Sequence, residues 1–122
     1  MQTIHVSFQD MTPSEIARKT LEDRIADRVK DLQQKFGRIL SCRVTIKGPG
    51  SHHRQGGHYD VKLHLSLPGS REVHVDRTPD ADPRHADINF AVGDAFKRAG
   101  RQLQDQVRLL QGATKAHDGK TG

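Results

Sequence analysis

Polarity alternates from Thr3 to Phe8, with Ile4, Val6 and Phe8 on one side and Thr3, His5 and Ser7 on the other, the period of a half-buried strand. Thr12, Pro13, Ser14 and Glu15 then read as a helix start. The Thr12 hydroxyl can accept from the Glu15 amide, and Pro13 at the first helical position loses no needed donor. Leu21, Ile25, Val29, Leu32 and Phe36 follow at spacings of four, four, three and four, one apolar stripe of a long helix that Gly37 stops. Ile16 falls nearly opposite this stripe, so the first turn is expected to drift in phase or to pack on an unidentified neighbour. A second strand over Ile39 to Lys47 turns Cys42, Val44 and Ile46 inward and Arg43, Thr45 and Lys47 outward. A third puts Tyr59, Val61, Leu63, Leu65 and Leu67 on one face before a turn at Pro68 and Gly69, and a fourth, near Glu72 to Asp76, buries Val73 and Val75. From Ala86 the residues Ile88, Val92, Ala95, Phe96, Ala99, Leu103, Val107 and Leu110 keep a helical stripe for about six turns, which Gly100 weakens modestly.

Two stretches lack periodicity. Residues 48–58 contain four glycines and predict a mobile loop, while 77–84, with Pro79 and Pro83 between aspartates, predicts a turn into the last helix. After Gln111 there are no apolar anchors, so the expected organisation is one domain over 1–111 and a disordered tail over 112–122. The order β-α-β-β-β-α specifies an α+β fold. Each strand is apolar on one side only, which asks for a four-stranded mixed sheet with two roughly parallel helices on one face. The first strand, first helix and second strand form a right-handed crossover, and the last strands an antiparallel meander.

Composition adds three exclusions. Only 33% of residues are hydrophobic, so the core is lean. No apolar run reaches about 18 residues and the N-terminus lacks a leader pattern, so a cytoplasmic protein without a membrane partner is expected. Cys42 is the single cysteine, which rules out an intrachain disulfide and reads as a small buried hydrophobe.

Charge shifts the picture toward function. The net charge is +5 and the isoelectric point near 9.7, a balance that attracts polyanions. At 100° per residue Lys97, Arg101 and Arg108 lie within about 40° of one another, opposite the apolar stripe, with Arg98 beside them. Arg24, Arg28 and Lys35 cluster likewise on the first helix, while Asp23, Asp27 and Asp31 share another flank. Sorted charge of this kind suits phosphates, whereas a merely solvated helix tends to interleave signs. His53 and Arg54 in the glycine-rich loop add a second candidate RNA contact. Helical or strand spacing assigns four of the five aromatics to the core and leaves Phe90 unplaced, so recognition of backbone and shape is expected rather than base stacking.

Other chemistries find less support. Of the eight histidines, His5, His64 and His74 point from the solvent side of the sheet and His52, His53 and His58 fall in or beside the loop; none has zinc-motif spacing, so no metal is expected. Residues 48–57 match neither phosphate-cradling glycine pattern, and Asp60 and Asp76 read as strand-edge residues, so neither an enzyme nor a small-molecule substrate or cofactor is expected.

Several pieces, in order, carry a resemblance: Thr12-Pro13 opening the first helix, Cys42 and Val44, His53-Arg54-Gln55-Gly56, Pro68-Gly69, and Ala95-Phe96 followed by Arg101-Gln102-Leu103. Over about residues 2 to 110 the chain resembles the ribosome hibernation-promoting and ribosome-associated inhibitor proteins, also called sigma-54 modulation proteins, in their short form. The resemblance implies a shape related to double-stranded-RNA-binding domains. It also implies a non-enzymatic stress-response factor that sits on 16S-type ribosomal RNA of the small subunit, in the channel used by messenger and transfer RNA, and is a monomer off the ribosome. Arg98 and Arg101 match the family's basic positions best. A general structured-RNA-binding module and a modulator of a transcription factor are the alternatives.

Overall fold

The computed structural model describes residues 3–48, 58–76 and 83–119. Its elements are β1 (Thr3–Gln9), α1 (Glu15–Phe36), β2 (Ser41–Lys47), β3 (Asp60–Leu67), β4 (Arg71–Val75) and α2 (Ile88–Gly119). The four strands form one mixed sheet in the order β1-β2-β3-β4. β1 and β2 are parallel, as a strand-helix-strand crossover through α1 requires, and the other neighbours are antiparallel. The α+β fold and the order β-α-β-β-β-α are those predicted from polarity alone.

The core lies between one side of the sheet and the two helices. Ile25, Val29, Val44, Ile46, Leu65 and Ala99 are fully buried, and Leu21, Leu32, Phe96 and Leu103 nearly so. Ile4, Val6 and Phe8 are half-buried against this cluster, so β1, at one edge, is covered less completely than β2 and β3. Cys42 is buried, and burial pushes its thiol up to about 12.

Local chemistry sets most boundaries, with four departures from expectation. Ser14, not Thr12, caps α1: its hydroxyl oxygen accepts from the Ala17 amide at 3.1 Å. Both are good caps, and the path from β1, which tucks Met11 against the core, selects the later one. Ile16 is 82% exposed, so the first turn of α1 neither drifts in phase nor packs. Helix α2 begins at Ile88 after a single 3-10 turn at Pro83–Ala86; the Asp87 carboxylate accepts from the Asn89 amide at 2.8 Å. Leu110, placed in the stripe by spacing, is 53% exposed because α2 has by then passed the sheet, and the helical backbone continues to Gly119. Gly37 ends α1 with φ 107°, a left-handed conformation suited to glycine, and its amide donates to the Gln33 carbonyl at 2.9 Å. The 48–58 loop, apart from Gly48 and His58, lies outside the described residues.

Two side chains of α2 secure the exposed edge of the sheet. Gln102 Nε2 donates to the His74 carbonyl at 2.6 Å and Gln106 Nε2 to the Glu72 carbonyl at 2.9 Å. Edge carbonyls of β4 that would otherwise be free to template another strand are thus occupied, and α2 is held in register over β4.

Candidate nucleic-acid interface

Two glycines of α2 face α1 where the helices meet. A Cβ at Gly93 would meet Arg28 Nη2 at 3.1 Å, and one at Gly100 would meet Leu32 Cδ2 at 3.4 Å. Both numbers increase together along the two helices, so α1 and α2 run in the same direction. Glycine at 93 leaves room for the Arg28 guanidinium to lie across the α2 backbone instead of being driven off by a side chain.

Between the helices runs an open trough of about 350 Å³. Leu32, Phe36, Phe96, Gly93 and Gly100 contribute its apolar lining, and Arg28, Lys35, Lys97 and Arg101 its cations, with Asp31 the one acid. The trough continues past Arg28 and Lys97 into a second depression lined by Arg84, Asn89, Phe90 and Asp94. Here the Arg84 guanidinium lies 4.6 Å over the Phe90 ring, a cation-π contact that accounts for the half-buried Phe90.

The residues singled out from helical spacing divide into three groups. Arg28, Lys35, Lys97 and Arg101 come together in the trough. Arg24 and Arg108 are exposed on the same helices but are not among its lining residues. Arg98 turns elsewhere: its Nε donates to Asp94 Oδ2 at 2.9 Å, one turn back, so a local carboxylate already compensates it. His53 and Arg54 lie outside the described residues. Helical spacing missed Arg84 and Asn89, which line the second depression, Arg84 from the 3-10 turn before α2 and Asn89 from the first turn of α2.

The electrostatics favour anions. Lys19, Lys47 and Arg98 are held by Asp23, Asp10 and Asp94, whereas Arg28, Lys35, Lys97 and Arg101 make no ion pair with a described residue. Four uncommitted cations against Asp31 make a strip of positive potential, concentrated by apolar walls. Such a strip can neutralise phosphates of a helical backbone without reading bases.

Residues 4–110 match the family described as Sigma 54 modulation protein / S30EA ribosomal protein. The chain belongs to that family. The sigma 54 modulation / S30EA match spans all four strands and both helices as far as Leu110, so the whole trough lies inside it. The family is one of ribosome-associated modulation and hibernation factors. Comparison with curated proteins gives no match. No helix among the described residues is long and apolar enough to cross a membrane.

Proposed function

We propose that this sigma 54 modulation / S30EA protein silences translation by occupancy, seating the α1–α2 trough on 16S-type ribosomal RNA of the small subunit. The observation that carries the reading is the convergence of Arg28, Lys35, Lys97 and Arg101, from two helices, on one trough with a single acid. A groove walled by two parallel helices and edged with cations suits the ridged backbone of an RNA duplex, which proteins recognise mainly by shape and phosphate contacts. Placement in the channel of messenger and transfer RNA follows the family resemblance and makes inhibition a matter of steric exclusion. No covalent step is involved, and the protein acts in the cytoplasm under stress.

Co-sedimentation with separated ribosomal subunits tests this directly. The chain is expected to travel with the small subunit at about 0.1 M salt and to resist a mass excess of structured non-ribosomal RNA. Displacement by that RNA would make it a general RNA-binding module, and absence from every ribosomal fraction would end the proposal.

A further inference from the structure

The side of the sheet away from the helices carries an ordered row of polar residues. Strand register aligns His5 with Arg43, Arg43 with His64, and His64 with His74 across β1, β2, β3 and β4. At the β3–β4 end Glu72 joins the row. His64 Nε2 is 2.5 Å from Glu72 Oε1, and His74 Nε2 is 3.5 Å from the same oxygen. The two imidazoles stack with centroids 4.3 Å apart and planes 13° from parallel. One ligand atom from each residue lies within 4.8 Å of the other two.

We propose that His64, Glu72 and His74 form a binding site for a divalent transition metal of the zinc class, on the helix-free face of the β3–β4 hairpin.

The donor set is the first ground. Two imidazole nitrogens and one carboxylate oxygen suit a borderline ion such as zinc, with the fourth tetrahedral position open to water. Bonds of about 2.0–2.2 Å to a tetrahedral centre put ligand atoms about 3.3–3.6 Å apart. The His74–Glu72 separation of 3.5 Å already meets this, while the His64–Glu72 hydrogen bond at 2.5 Å must open to admit the ion. The stacked rings must also tilt toward each other so that both nitrogen lone pairs converge. His74 and Glu72 are exposed and His64 half-exposed, so side-chain rotation alone achieves this.

Rigidity of the supporting backbone is the second ground. His64 and His74 are directly paired across the strands, and the carbonyls of His74 and Glu72 are each clamped by a glutamine of α2. The three ligands thus start from a backbone fixed by both sheet and helix, and only side-chain torsions remain to be ordered. Charge also fits. Glu72 supplies one carboxylate to set against both the metal and Arg43, the cross-strand partner of His64. Neither histidine has a neighbour at the spacing of a linear zinc motif; strand pairing alone assembles the set, so the spacing argument against a metal does not reach it.

The full chain, stripped with a chelator, would be titrated with zinc chloride in a calorimeter, and with cobalt chloride while the visible absorption of tetrahedral cobalt is followed. The expected result is one equivalent bound. Affinity should fall by at least about tenfold in Glu72→Gln and His74→Ala, because even groups that only orient a metal ligand are worth about that much. A variant lacking His52, His53 and His58 (each to Ala) should bind as the unaltered chain does, and circular dichroism checks that every variant is folded. Absence of saturable uptake, full uptake by folded His74→Ala, or loss of uptake in the His52/His53/His58 variant would each overturn the assignment. No ribosome is needed, so the outcome is independent of the RNA-binding reading.

Discussion

Reversing two trough charges, Lys97→Glu with Arg101→Glu, separates the trough from the rest of the basic surface. Both side chains are exposed, and neither makes an ion pair with a described residue. The melting transition should therefore move little, within about 0.5 kcal/mol. Each phosphate neutralised releases about 0.7–0.9 of a counterion, worth about 1 kcal/mol at 0.1 M salt. Losing two contacts should weaken small-subunit binding by at least about thirtyfold, before any repulsion from the new carboxylates. The slope of log affinity against log salt, about −3 to −4 for four contacts, should become shallower by roughly 1.5 to 2. Arg98→Glu is the comparison. Because Asp94 already holds Arg98, that change should cost less than about fivefold and mainly place like charges at i,i+4, worth about 0.2–0.5 kcal/mol of stability. Filter binding or sedimentation from 50 to 300 mM salt reads both quantities. An unchanged slope in the double variant, or a larger loss in Arg98→Glu, would refute the reasoning.

Gly100→Ala should raise stability by about 0.5–1 kcal/mol, since its Cβ makes only an ordinary contact with Leu32, and should leave ribosome affinity intact. Gly93→Ala has the same helix-propensity gain but displaces the Arg28 guanidinium, so affinity should fall about threefold to tenfold while the fold persists; equal affinities for the two variants would show that Arg28 is not a contact. Ile25→Ala, at a fully buried position under the sheet, should cost about 2–5 kcal/mol in urea unfolding; a loss below 1 kcal/mol would mean that α1 is loosely packed. Cys42 should resist thiol reagents until the chain unfolds. Its folded value of about 12 against an ordinary 9.0 means that the folded state keeps the thiol proton longer, so this contribution to stability is whole below about pH 9 and declines as pH rises toward 12; rapid alkylation of the folded chain at pH 8 would contradict the burial.

Much of the fold was legible because its signals are local. Alternation in β2 and β3 and the four-three spacing of Leu21 to Leu32 each follow from which side of an element faces the core, and that side is written in polarity. The α1 cap was less so: Thr12 and Ser14 carry equivalent signals, and only the tertiary path of Met11 separates them. Leu110 shows the opposite limit, an apolar residue in correct phase on a helix that outruns its sheet.

The candidate site was legible where helix geometry alone decides direction. Arg28, Lys35, Lys97 and Arg101 could be grouped by angle, yet the same angles could not show that Arg98 folds back on Asp94. Arg84 and Gly93 needed tertiary knowledge. The first enters from an irregular segment, and the second matters only because Arg28 lies over it. The His64–Glu72–His74 cluster is a product of hairpin register, which brings together residues that no linear motif connects.

Lysine footprinting tests the central claim most directly, because trough and sheet each display lysines: Lys35 and Lys97 line the trough, while Lys62 projects from the opposite side on β3. Amine acylation of the chain, free and bound to small subunits, would be read residue by residue in a mass spectrometer. Protection of Lys35 and Lys97 with Lys62 as reactive as in the free chain is the predicted pattern. Protection of Lys62 with Lys35 and Lys97 left open would place the RNA against the sheet and contradict the account.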